Sequence, residues 1–296
     1  VSEAPPRVSV IVPHYSDLGR LDICLAALCR QTYPRDAFEI VVSDNNSPEG
    51  EAAVARVIDG RARLTIVPVK GAGAARNGGV DAARGEILAF TDSDCQPAAE
   101  WLARGLEALE GFDFVGGRMT VLARDPDHLT ACEAFERVFA FDNEDYVLRK
   151  RFTVTANLFA RRSVFEAVGG FETRVVSEDV DWCLRAGAAG FRIGYASAAV
   201  VGHPARRDWP DLIKKWRRMN SETFGLFARG RAGRLRWLLR ALLMPFSAVV
   251  HTPRALAGRG LGSLGQRLGA VLVLYRLRFW RCGDSLRLLL AGPDPR

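Results

Sequence analysis

The sequence predicts an α/β protein: a sheet covered by helices on both faces, extended at its C-terminal end by a basic helical region. Three observations carry this. Short β-rich runs alternate with helical stretches through the first half, the pattern of βαβ units. Several of those runs are almost continuously apolar, as strands buried on both faces are. The charge also changes sign: residues 1–203 hold 22 Lys/Arg against 29 Asp/Glu, whereas residues 204–296 hold 19 against 5. Two parts with such different balances face different surroundings.

Strands are expected at Val8–Val12, Phe38–Ser43, Leu64–Val67, Glu86–Phe90 and Asp113–Gly116. Helices are expected between them at Leu18–Arg30, Glu51–Ile58, Ala72–Arg84 and Ala98–Leu109. In the first helix Leu21, Cys24, Leu25 and Leu28 recur at i, i+3, i+4 and i+7, which marks one buried face. Residues 118–150 read as a connection holding a helix near His128–Phe141. A second α/β portion follows, with a strand over Thr153–Phe159, helices over Arg162–Val168 and Glu178–Ala188, and strands near Phe191–Tyr195 and Ala198–Gly202. From about Asp208 the pattern is helical, Arg-rich and studded with Trp. In open sheets of this kind ligands bind beyond the carboxyl ends of the strands, where the strand order reverses. Functional residues are therefore expected in the loops that follow the strands.

With 296 residues, 48% hydrophobic and 25% charged, the chain can bury a substantial core and is neither fibrous nor disordered. Its six cysteines (Cys24, Cys29, Cys95, Cys132, Cys183, Cys282) form no CxxC pair and no ligand-like spacing with the four histidines, which predicts reduced thiols. The opening VSEAPPRVSV has no apolar h-region or cleavage-site pattern and predicts no secretion signal.

The stretch GEILAFTDSDC places Asp92 and Asp94 just past an apolar strand. Residues i and i+2 of an extended segment point the same way, so the two carboxylates can converge on one cation. Hard divalent ions favour such oxygen ligands, and Mg(II) combines a few carboxylates with substrate phosphates. The same residues equally suit a solvated turn that caps the helix starting near Pro97. GAGAARNGG has the look of a dinucleotide-binding fingerprint, but it follows the third strand instead of the first, which sets that reading aside.

Five blocks occur in order: VSVIVPHYSD, EIVVSDNNSP, GAGAARNGGVDAARGEILAFTDSDC, TANLFARRSVFEAVGGF and SEDVDWCLRAGAAGFRIGYASAAVVGHP. Together they resemble the family 2 glycosyltransferases, inverting enzymes of the GT-A fold, over about residues 7–205. The resemblance implies a Rossmann-like mixed sheet flanked by helices, with a catalytic domain over 1–205. Its nucleotide-binding half would span about 1–117 and its acceptor half about 118–205. It further implies a nucleoside-diphosphate sugar as donor, a UDP-sugar foremost, a divalent metal (Mn or Mg), and a glycan or lipid-linked acceptor in surface polysaccharide or exopolysaccharide assembly.

By the same resemblance, Pro13, His14 and Tyr15 after the first strand and Asp44 after the second hold the base. A Tyr ring can stack on a base and a carboxylate can accept its ring N–H; a loop aromatic packed on the core and an Asx-turn at Asp44 would use the same residues. Arg76 is expected to reach the phosphates through charge-assisted contacts. Asp92 and Ser93 fall on the donor side. Asp94 becomes the firm metal ligand beside Asp92, and His203 in VVGHP a further ligand of a kind Mn(II) accepts. Asp179 matches the general base that deprotonates the acceptor hydroxyl, kept ionised by the helix dipole. Asn157, Glu178 and Trp182 fall on the acceptor side.

Processive members of the family carry a Gln-x-x-Arg-Trp signature. In DLIKKWRRMN, Leu212 and Lys215 stand where Gln and Arg are expected, which points to transfer of a single sugar. Beyond it, RLRWLLRALLMPFSAVVHTPR and LGAVLVLYRLRFWRCGDSLRLLL mix Arg with apolar residues. Their longest charge-free stretch is interrupted by Pro245 and falls short of the roughly 20 apolar residues a spanning helix needs. Amphipathic helices over 206–296 are expected to lie in an anionic membrane surface, on the cytoplasmic, inner face of the cell membrane; a helical pair packed within the protein is the other reading. No nucleic-acid-binding motif accompanies the basic residues. A sugar nucleotidyltransferase would need a Gly-rich basic loop after the first strand, which PHYSD is not. A non-catalytic nucleotide-sugar-binding or membrane-binding module is disfavoured by the intact set Asp44, Asp92, Asp94 and Asp179.

Overall fold

The computed structural model describes residues 6–173, 177–258 and 260–292. They pack as two units, Val1–Thr120 with Asp142–His203, and Val121–Phe141 with Pro204–Arg296.

In the first unit, β1 (Val8–His14), α1 (Leu18–Cys29), β2 (Phe38–Asp44), α2 (Glu51–Ile58), β3 (Arg63–Ile66), α3 (Ala72–Ala82) and β4 (Ile87–Phe90) alternate as the sequence predicts. β5 (Gln96–Pro97), α4 (Trp101–Leu109) and β6 (Phe114–Leu122) follow, then α6 (Asn143–Leu148), β7 (Leu158–Arg161), α7 (Arg162–Val168), α8 (Glu178–Ala188) and β8 (Ile193–Pro204). The sheet order is β3-β2-β1-β4-β7-β6-β8-β5. β1, β2, β3 and β4 run parallel, while β7 is antiparallel to both β4 and β6. The sheet is therefore mixed. Every residue of β2 and β4 is buried, which is what two covered faces require.

The pleat sorts the core into two layers. Val8, Val10 and Val12 face α1 and α4, joining Leu21, Leu25 and Trp101, while Ile11 and Phe90 face the other way against Phe165 and Trp182. α3 approaches the sheet closely: a Cβ on Gly79 would collide with Ile11 Cγ2 and press on Ser43. Gly79→Ala is therefore expected to cost about 1–3 kcal/mol of stability through overpacking, read as a lower denaturant midpoint with an unchanged m-value.

Two local expectations are corrected. The strand expected over Thr153–Phe159 is instead a 3-10 turn at Thr155–Asn157 followed by β7. Asn157 is drawn inward there by three side-chain hydrogen bonds. The two strands expected after Phe191 are one continuous strand, β8. Segment 121–141 packs with the C-terminal helices.

That second unit comprises α5 (Ala131–Phe139), α9 (Trp209–Phe227), α10 (Gly230–Leu256) and α11 (Leu264–Ala291). Thr130 and Glu133 form a reciprocal capping box at the start of α5, and Phe135, Leu212, Ala248, Leu274 and Leu277 share one core. The buried Glu136 is neutralised by Arg206 at 3.0 Å and Lys215 at 3.1 Å. Asn220 of α9 donates to Asp284 and Ser285 of α11. Thus Leu212 and Lys215, at the positions of the processive signature, are committed to the packing of this unit. One side of α10 is left outward: Leu235, Leu239, Leu242, Leu243, Phe246 and Val250 are exposed at the spacing of a single helical stripe. Among the described residues no helix is long and apolar enough to cross a membrane.

Candidate active site

The chain runs outward from β1 to β2 and β3, then returns to lay β4 on the other side of β1. This reversal is the switch point at which open sheets bind ligands. The carboxyl ends that meet there carry His14, Asp44 and, just past β4, Asp92 and Asp94.

His14 and Asp44 are adjacent through the β1–β2 register and hydrogen-bond side chain to side chain, Nδ1 to Oδ1, at 2.7 Å. Asp44 also accepts the backbone N–H and hydroxyl of Ser47. Both side chains are buried, and His14 Nε2 has no hydrogen-bond partner among the described residues. Pro13 is half-buried, and Tyr15, 60% exposed, offers its ring to solvent. An exposed aromatic face beside a buried imidazole–carboxylate pair offers groups of the kind that can stack on and hydrogen-bond to a base.

Asp92, Asp94 and Cys95 place ligand atoms within 4.8 Å of one another. Pairing of Gln96 with Gly202 brings the end of β8 beside this loop, and His203 Nε2 lies 3.4 Å from Asp94 Oδ2. Ser93, between the two acids, is half-buried. Burial, reinforced by Asp92 and Asp94, pushes the Cys95 thiol well above its ordinary pKa, so its sulfur stays protonated and a poor ligand. Two carboxylates and an imidazole fit a hard or borderline divalent ion. Arg20 of α1 also reaches Asp94, at 3.6 Å; no motif marks it, since it is one more Arg on an exposed helical turn.

Arg76 lies buried on α3, and its guanidinium bridges Asp92 at 2.7 Å and Glu178 at 2.6 Å. Burial opposes its charge, but Asp92 and then Glu178 outweigh that and raise its pKa further. The sequence directs Arg76 at phosphates; in the structure it is held by carboxylates. Asp179, next to Glu178 in the first turn of α8, accepts the N–H of Val180 at 2.8 Å. Its pKa moves opposite to the expectation from the helix dipole. Burial first, then the Glu178 charge, raise it from 3.8 to about 6. It still loses its proton below neutrality, with a basicity suited to general-base work.

Two residues of the acceptor-side expectation are buried in the core. Asn157 is 0% exposed, its amide spent on Trp101 and the carbonyls of Arg118 and Ala199. Trp182 is equally buried among Phe114, Phe165 and Phe171, its indole N–H donated to Gly169. Both side chains are turned into the core. Trp182, on α8 itself, anchors the helix whose first turn carries Glu178 and Asp179.

A buried His14–Asp44 pair, an acid cluster and a carboxylate of raised basicity, gathered at the switch point of a mixed sheet, agree with a glycosyltransferase of GT-A type. The profile described as Glycosyl transferase family 2 matches residues 9–169, and the chain belongs to that family. It is 36% identical to the glycosyltransferase AglE of Haloferax volcanii over 71% of this chain and 70% of that protein. It is 30% identical to the pre-mycofactocin glycosyltransferase of Mycobacterium tuberculosis over 73% of this chain, spanning about half (47%) of that relative's length. Among solved structures, the mannosyltransferase PcManGT from Pyrobaculum calidifontis, in complex with GDP-Man and Mn2+, superposes with a TM-score of 0.60 at 22% identity, covering 98% of this chain and 89% of that one. TarS 1-349 of S. aureus in complex with UDP gives 0.53 at 17% identity, covering 95% and 88%. At these identities the structural likeness speaks for the fold.

Proposed function

We propose that the chain is an inverting, metal-dependent transferase that moves one sugar from a nucleoside-diphosphate sugar, with UDP-sugars the first to test, to a hydroxyl of a glycan or glycolipid. Asp179 would take the acceptor proton as the oxygen attacks the anomeric carbon in line with the departing diphosphate. His14, Asp44 and Tyr15, with Pro13, would hold the base. Asp92 and Asp94, with His203, would hold the divalent ion, which would neutralise charge on the diphosphate as it leaves. The observation that carries this reading is the Arg76 bridge: one guanidinium ties the donor-side Asp92 to Glu178, the immediate neighbour of the base. In this reading the donor side and the acceptor side would share one frame.

The basic second unit supports a peripheral position on the inner face of the cell membrane, consistent with a lipid-linked acceptor in surface polysaccharide assembly. Its outward apolar stripe and its arginines are the composition of an interfacial helix. The catalytic reading is tested by calorimetry with UDP and GDP, with and without Mn(II). One nucleotide is expected to bind in a metal-dependent way, and Asp94→Ala to lose the metal-dependent part of the affinity while keeping its melting temperature. A folded wild type that binds no nucleotide under any metal condition would sink the transferase reading.

A further inference from the structure

Far in sequence from these acids, a groove of roughly 480 Å³ lies between α10 and α11, wholly within the second unit. Its walls carry four guanidinium groups, Arg236 and Arg240 from α10 and Arg278 and Arg281 from α11, together with Leu239 and Leu243. Among the described residues none of these arginines has an ion-pair partner. Arg281 is the unusual one. It is 7% exposed, its guanidinium sits 4.3 Å from the centre of the Trp216 ring, and its buried Nε has no hydrogen-bond partner. The acid one turn away, Asp284, is taken by Asn220 and Arg287.

Buried charges are ordinarily paired, because desolvation of a lone ion is costly. Here burial, then the neighbouring Arg278 and Arg240, depress the Arg281 pKa to about 9 against a smaller opposing pull from Asp284, and burial and then Arg240 lower that of Arg278. Four like charges around one recess are compensated when an anion enters, and guanidinium groups match phosphate oxygens bidentately. The rest of the lining selects among anions. Leu239 and Leu243 belong to the exposed stripe of α10 that continues to Phe246 and Val250, 70% and 75% exposed. A nucleic-acid strand would need a continuous basic track; this recess opens instead onto an apolar one.

We propose that the α10–α11 groove binds the phosphate headgroup of a membrane lipid, with the lipid's chain lying along the apolar stripe of α10. This rests on the peripheral membrane position put forward above and names the site responsible. The test is co-sedimentation of the full chain with phosphatidylcholine vesicles, with and without phosphatidic acid. The wild type is expected to prefer the phosphatidic acid vesicles by roughly ten- to a hundredfold, the worth of one or two charge-assisted hydrogen bonds. Arg281→Met and, at a half-buried position, Arg278→Gln should lose that preference. Arg281→Met should melt no lower than wild type, because it removes an unpaired buried charge. Phe246→Glu should weaken adsorption to both kinds of vesicle.

If both arginine variants keep the full preference, the groove is not the site, and diffuse surface charge accounts for the adsorption. If the wild type adsorbs to neither vesicle, the membrane position itself falls. Inorganic phosphate stabilising the protein as strongly as phosphatidic acid would identify a free phosphate as the ligand and overturn the lipid assignment. A dimer abolished by Phe246→Glu would give the stripe to a second copy of the chain.

Discussion

Replacing Asp179 with Asn is expected to lower kcat by about 10²–10⁴-fold, the usual contribution of a positioned general base, while nucleotide affinity stays within error. The amide keeps the shape of the carboxylate and its acceptor oxygen for the Val180 N–H, so only the proton acceptor is lost. The wild-type rate supplies a second readout. With the pKa of Asp179 raised to about 6, kcat/KM should rise with pH through that value and level off above it. The variant should lose this limb. Stability should move the other way. A carboxyl whose pKa is raised on folding penalises the native state above about 6, and the penalty vanishes as pH falls below 3.8. Asp179→Asn should therefore melt no lower than wild type at neutral pH. Comparable turnover in wild type and variant would remove Asp179 from the mechanism.

Arg76→Met should be the most damaging substitution to structure and site together. It removes the cation shared by Asp92 and Glu178, and breaking a buried pair from one side costs about 3–5 kcal/mol. The partial exposure of both acids places the loss at the lower end. Arg76 also acts to lower the Asp179 pKa, so without it that carboxyl ionises less readily and the acidic limb of kcat/KM should shift above about 6. Arg76→Lys separates charge from geometry: one ammonium retains much of the electrostatic effect but lacks the planar fork that bridges two carboxylates. Urea unfolding and a pH–rate profile on the same preparations check both parts. A normal denaturant midpoint with an unmoved limb would show that the bridge is incidental.

How much of this was legible in the sequence depended on the range of the interaction. Asp92 and Asp94 do come together, but across a turn closed by the Cys95 N–H on the Asp92 carbonyl and not by the period-2 alternation of an extended segment. The β1–β4 half of the sheet was readable, because each βα step announces itself by a change of period. The capping box at Thr130 and Glu133 is a visible T-x-x-E signal that would have moved the start of α5 from His128 to Ala131. Depth was not legible. Asn157 and Trp182 stand in blocks that resemble an acceptor site, but a motif carries order along the chain and says nothing of which side chains turn inward. Arg76 presented the same difficulty in another form: a phosphate contact and a carboxylate bridge ask for the same residue type. The arginine groove was hidden too, since 19 basic residues in the last third give no hint that one of them is buried without a partner.

The way the two units share the backbone bears on how this protein could be divided. The chain leaves the first unit at Thr120, returns at Asp142 and leaves again at His203, so the second unit is stitched from two separate lengths. A gene broken once, near residue 204, would strand Phe135 and the buried Glu133 and Glu136 without the helices and arginines that cover and neutralise them. Recombination with a relative would have to exchange both lengths together to preserve the seam. The helical unit is in that sense an insertion completed by the C-terminal end, and its inheritance is tied to that of the catalytic unit.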